Sequence, residues 1–188
     1  SRRMNVGAPL PGTRSTAAAG TEAAAPPAPR LMLVDDHSLC RTGLTDLLRQ
    51  RAGMDVVAAL SDPEQVIAAL REKRPDLLVL DLRMPAMDGL TLLQRIRAEG
   101  LDTPTVILTM SDSEADFAAA LRAGVRGYLL KDMEPEDVIA AIGNAARGEH
   151  VVAPAMTPKL AQLLQSGPGA RNRGDLLVMC SAACWAIY

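Results

Sequence analysis

Aromatic residues are scarce: one Trp, one Phe and two Tyr occur among 188 residues. A core built from this chain must be aliphatic, made of Leu, Val, Ile, Ala and Met. Cysteine is scarce too, and Cys40, Cys180 and Cys184 cannot make a disulfide framework, so the chain reads as intracellular and cytoplasmic. No run reaches the roughly 18 apolar residues of a membrane span, and no membrane is expected. Neither sign of charge dominates: the formal net charge of −2 excludes a strongly basic nucleic-acid binder. Arg2-Arg3 has no apolar segment behind it, so no secretory signal is expected.

What is present begins with residues 1–29, rich in Ala, Pro, Gly, Ser and Thr. They show no apolar period and read as a disordered leader. From Arg30 onward, apolar runs alternate with helical patterns. Residues 31–34 end at Asp35-Asp36, and 38–51 carry Leu39, Leu44, Leu47 and Leu48 at helical spacing with Ser38 as N-cap. Residues 54–60 form a second run. Asp62-Pro63-Glu64 starts a helix with Val66, Ile67, Ala69 and Leu70 inward. Residues 77–81 are the third strand, followed by a helix lined by Leu90, Leu93 and Ile96. Residues 105–109 are the fourth, and Ser111-Asp112 caps a helix that stops at Gly124. Residues 125–130 are the fifth, before Lys131, and Glu134-Pro135-Glu136 opens the helix that runs to about Arg147.

Strict alternation predicts one α/β domain over residues 30–148. It is a flavodoxin-like five-stranded parallel sheet, order 2-1-3-4-5, with helices on both faces. In that order Asp35, Asp36, Asp81, Thr109 and Lys131 all stand at neighbouring carboxyl ends of strands. Singly, each has an ordinary reading: turn former, helix cap, β-branched strand residue, solvated charge. Converging from four strands, they describe a phosphoryl site. Clustered hard oxygens suit Mg²⁺. Asp81, the central acid, can attack phosphorus. Lys131 and the Thr109 hydroxyl can hold phosphoryl oxygens.

At these residues, and at Met84-Pro85 and Asp88-Gly89, the chain resembles the CheY-like receiver domain of two-component response regulators. Asp35-Asp36-His37-Ser38 and the stretch 127–137, Gly-Tyr-Leu-Leu-Lys-Asp-Met-Glu-Pro-Glu-Asp, resemble the NarL/FixJ branch, and nitrate/nitrite regulators in particular. The resemblance covers residues 30–165. It implies that Asp81 accepts phosphate from a sensor histidine kinase. It implies that Asp35, Asp36 and Asp81 hold Mg²⁺ with the backbone carbonyl of Arg83, and that Thr109 and Lys131 read the phosphoryl. Tyr128 becomes the switch aromatic that turns inward as Thr109 moves. The face of the fourth helix, fifth strand and fifth helix then changes and serves a homodimer. No enzyme activity is implied beyond Mg²⁺-dependent self-phosphorylation and slow autodephosphorylation.

That branch continues into a linker helix and a DNA-binding helix-turn-helix. A linker is expected over 149–166 with a helix at 157–165, but 167–188 reads as an apolar tail too short for a helix-turn-helix. The expectation is a receiver without DNA binding, its tail either a truncated or frameshifted gene end or an interface or anchor helix. The alternatives for its output are transcription control and a stand-alone phosphate sink or interaction module. A haloacid-dehalogenase-like phosphohydrolase is disfavoured, because Arg83 stands where its second acid belongs. His37 borders the acidic edge and could line the pocket, but like His150 it reads as a loop residue, and Cys40 reads as a small buried apolar one.

Overall fold

The computed structural model describes residues 24–166. Most of the leader, and the tail 167–188, lie outside the described residues. The strands are β1 (Arg30–Val34), β2 (Asp55–Leu60), β3 (Leu77–Leu80), β4 (Thr105–Thr109), β5 (Gly127–Leu130) and β6 (Val151–Val152). The helices are α1 (Ser38–Ala52), α2 (Val66–Lys73), α3 (Gly89–Ala98), α4 (Glu114–Arg122), α5 (Pro135–Ala146) and α6 (Thr157–Ser166). The strands form one parallel sheet in the order β2-β1-β3-β4-β5-β6. This is the expected flavodoxin-like order, extended by one short strand.

Every residue of β3, β4 and β5 is buried, as unbroken apolar runs in a doubly covered sheet require. Side chains alternate between faces. Met32, Val34, Leu78, Leu80, Ile107, Tyr128 and Leu130 join residues of α2, α3, α4 and α6 in one core layer. Leu31, Leu33, Leu77, Val79, Val106, Leu108 and Leu129 join α1 and α5 in the other.

β6 was not expected. Only two residues long, it lies below the length at which alternation is readable. It follows a turn at Gly148 with φ 99° and pairs with Gly127 and Tyr128. A Cβ on Gly127 would collide with the Val151 side chain and lie 2.8 Å from its carbonyl oxygen. Only glycine lets β6 seal the β5 edge here.

Local departures have local causes. Ser38 is not the N-cap of α1; His37 is, with no side-chain cap bond. Leu39 is 89% exposed rather than inward, because the first turn of α1 rises above the carboxyl edge, where no core lies beneath it. α4 is capped by Ser113, whose hydroxyl accepts from Asp116 N. The expected cap residue Ser111 is engaged elsewhere: its hydroxyl donates to the Asp116 carboxylate and its amide to Thr109. Asp62, Pro135 and Gly124 act as expected at their helix ends, and Asp88 caps α3, its carboxylate accepting from Leu90 N.

Candidate functional site

Backbone register places the site. Val34 pairs with Leu80, so Asp35 and Asp81 leave adjacent strands side by side, and Asp81 N donates to Val34 O at 2.9 Å. Lys131 N donates to Thr109 O at 2.9 Å, which fixes the lysine beside β4. The loop after β3 is anchored by buried Leu82 and Met84. Gly89 N donates to Leu82 O at 2.8 Å, and a Cβ there would run into the Asp81 carbonyl and stand 2.9 Å from Leu82 Cα. Gly89 is therefore what lets the N-terminus of α3 approach the backbone of Asp81.

Asp35, Asp36, Asp81, Thr109 and Lys131 are brought to one edge, as the sequence reading placed them. Lys131 Nζ lies 2.8 Å from Asp35 Oδ2 and 3.0 Å from Asp81 Oδ2. The three side chains are only 9%, 10% and 3% exposed, so the ions interact with little screening by water. Burial pushes the Asp81 carboxyl up, and Asp35 adds to this; Lys131 and the Arg83 amide oppose, and the net direction is upward. Burial also raises Asp35, but Lys131 and the His37 amide overcome it, and its carboxyl lies below the ordinary value. For Lys131 burial favours the neutral amine, yet the two carboxylates outweigh it and hold the ammonium above its usual range. Two acids of opposite displacement around one cation are a charge-poised pocket.

One ligand atom from each of Asp35, Asp36, His37 and Asp81 falls within 4.8 Å of the others. Asp36 Oδ1 is buried with no hydrogen-bond partner. His37 Nδ1 is 3.1 Å from it but out of alignment, and instead faces Asp35 Oδ1 at 3.2 Å. An orphaned carboxylate oxygen beside two further carboxylates fits a hard divalent cation that takes oxygen ligands. His37, read as a loop residue, is half of each description: its ring is exposed, yet it leans over the acids.

Thr109 is fully buried, and its Oγ1 accepts from Ser111 N at 3.2 Å. Tyr128 is also fully buried; its hydroxyl donates to Ser111 O at 2.8 Å, and its ring meets Phe117 edge-on at 5.1 Å. The ring that the resemblance expects to turn inward is inward in this structure. Burial pushes its phenol up to about 12. Arg83 N donates to Asp81 Oδ1 at 3.3 Å, while its guanidinium reaches Asp116 at 2.5 Å.

Sequence reasoning missed Asp116, Ser111 and Arg41, whose guanidinium donates to Asp35 O at 2.7 Å. It also misjudged Cys40. The thiol is half-buried, and burial, reinforced by the nearby Asp35 carboxylate, pushes it up to about 11. His150 is exposed, as expected.

The family described as the response regulator receiver domain matches residues 31–143. Nitrate/nitrite response regulator NarL of Escherichia coli is 41% identical over 143 residues, covering 76% of this chain and 66% of that protein. NarP of the same species is 40% identical over 122 residues, covering 65% and 57%. The chain thus spans under two thirds of the length of these relatives. Among solved structures, a LuxR-family response regulator from Aurantimonas sp. aligns with a TM-score of 0.63 at 34% identity, covering 72% of this chain and 94% of that one. The receiver domain of a NarL-type regulator from Mycobacterium tuberculosis aligns with a TM-score of 0.61 at 31% identity, covering 66% and 100%. The edge of buried acids around one lysine stands on the fold these proteins share, and the chain belongs to the response regulator receiver domain family, in its NarL/FixJ branch.

Proposed function

We propose that Asp81 is the phosphoryl acceptor and that this chain switches state when a sensor histidine kinase phosphorylates it. The observation that carries the reading is the Lys131 ammonium bound between Asp35 and Asp81 in a buried pocket. An Asp81 oxygen attacks phosphorus, a P–O bond forms, and the bond from phosphorus to the donor's imidazole nitrogen breaks, with the pair of electrons leaving on nitrogen. Asp35, Asp36 and Asp81, with the Arg83 backbone carbonyl, would hold Mg²⁺. When bound, that ion neutralises charge on the transferring group. Lys131 remains on one phosphoryl oxygen and the Thr109 hydroxyl turns to another, giving up its bond from Ser111 N. Small phosphodonors serve the same step, and hydrolysis of the acyl phosphate resets it.

The signal leaves through Thr109 and the loop that Tyr128 holds. The α4–β5–α5 face is the proposed output surface, for a second copy or another partner. β6 already occupies the outer edge of β5, so a homodimer there uses α4 and α5 rather than strand pairing. Residues 149–166 are the proposed linker to the transcriptional output carried by relatives.

With Mg²⁺ and acetyl phosphate, the intact mass of the chain rises by one phosphoryl group, and Asp81→Asn abolishes the rise. A rise that persists in Asp81→Asn overturns the assignment.

A further inference from the structure

We propose that Arg83 is a positioning residue that latches the β4–α4 loop at rest and exchanges Asp116 for the phosphoryl group when Asp81 is modified. The inference rests on the reading of Asp81 as the acceptor. Arg83 spans two regions. Its backbone N–H donates to Asp81 Oδ1 at 3.3 Å, so the acceptor itself fixes its main chain. Its side chain leaves the pocket: the guanidinium donates to Asp116 Oδ2 at 2.5 Å, with Asp88 Oδ2 at 4.0 Å. Asp116 lies in the first turn of α4. The same Asp116 oxygen accepts from Ser111 Oγ at 2.5 Å. Ser111 in turn donates its amide to Thr109 Oγ1 and accepts the Tyr128 hydroxyl on its carbonyl oxygen. A hydrogen-bonded path therefore runs from Asp81 through Arg83, Asp116 and Ser111 to Tyr128, beside the direct route through Thr109.

Magnitudes favour an exchange. The Arg83 side chain is 62% exposed and that of Asp116 20%. An ion pair with one partner so open to water breaks at little cost. A phosphoryl on Asp81, two residues away, brings a charge of about −1.5 to −2 and three acceptor oxygens. A guanidinium can bind such a group by two parallel bonds, whereas its hydrogen bond to Asp116 uses one carboxylate oxygen that Ser111 also shares. Moving the guanidinium frees Asp116 and Ser111 at the step in which Thr109 is drawn to the phosphoryl. The latch thus opposes loop movement at rest and rewards it after modification. A lysine at position 83 would keep the charge and lose the fork.

The test follows the amide resonances of Ser111 and Tyr128 in the full chain with Mg²⁺, before and after acetyl phosphate, with intact mass read on the same samples. Before the phosphodonor, Arg83→Ala and Asp116→Asn each displace both resonances, and the double variant displaces them no further than either single one. After it, Arg83→Ala gains the phosphoryl mass, but its phosphoryl-dependent shift is roughly half that of the wild type or less. Arg83→Lys lies between the two. Additive displacements at rest, or an Arg83→Ala variant with the full shift, would overturn the proposal. A wild-type chain that gains no phosphoryl mass would overturn the Asp81 reading and the exchange with it. The resting comparison needs no phosphodonor and decides the latch separately.

Discussion

The two faces of the sheet are built from the same strands, one residue out of step, and they differ in kind. Among the described residues, the apolar layer under α1 and α5 holds no aromatic side chain; Leu48, Leu129 and Ile142 fill it with other aliphatic residues and Met54. The layer under α2, α3, α4 and α6 contains Phe117 and Tyr128, stacked edge to face. Tyr128 and Leu129 are neighbours in β5, yet one ends in a hydroxyl tied to the β4–α4 loop and the other in packing alone. The first face holds the sheet together. The second is also tied to the carboxyl edge, because its largest side chain is bonded to the loop that follows Thr109. A receiver needs both: a rigid platform and one face with two arrangements.

The largest expected effect lies on the platform side. Leu48 is fully buried there, and Leu48→Ala should cost about 2–5 kcal/mol through lost transfer energy and a cavity. Chemical denaturation reads the loss, while acetyl phosphate still shifts the Tyr128 resonance in the folded protein. A lost shift would show that the faces are not separate. Phe117→Leu should cost less, about 1–3 kcal/mol, since volume falls modestly and the edge contact goes. Unlike Leu48→Ala it should blunt the phosphoryl-dependent Tyr128 shift. The smallest effect is Tyr128→Phe, at about 1 kcal/mol for one buried hydrogen bond, measured by the same denaturation.

Tyr128 also gives a pH signature. Its folded-state phenol is raised to about 12, against about 10 for an unperturbed tyrosine. A raised value means the fold favours the neutral phenol. That stabilisation is complete below about pH 10 and is lost as pH climbs toward about 12. Wild-type stability should therefore fall faster across that window than that of Tyr128→Phe. Parallel curves would contradict the burial of the Tyr128 phenol.

The sheet order and the site acids were legible for the same reason. A central strand of a doubly wound sheet is a short apolar run, and its carboxyl end is marked by the first polar residue: Asp35, Asp81, and Lys131 after Leu130. The order 2-1-3-4-5 then makes those ends neighbours. β6 was illegible because two residues carry no period. Leu39 misled because helical spacing says which side of a helix faces inward, not how far the core extends beneath it. The Arg83–Asp116–Ser111 path escaped because its ion pair joins residues 33 apart in sequence, and no local pattern encodes such a contact. His37 was legible as a neighbour of the acids, but the turn of its ring toward them depends on the loop conformation.

The central claim is that the carboxylate of Asp81 forms a covalent acyl phosphate. The most direct measurement is reductive trapping. The chain is treated with Mg²⁺ and acetyl phosphate, then with borohydride, which reduces an acyl phosphate to an alcohol and releases phosphate. Peptide mass spectrometry should then find homoserine at position 81, dependent on the phosphodonor. Homoserine at position 35 or 36 instead, or unreduced aspartate at position 81 in a chain that has gained the phosphoryl mass, would contradict the account.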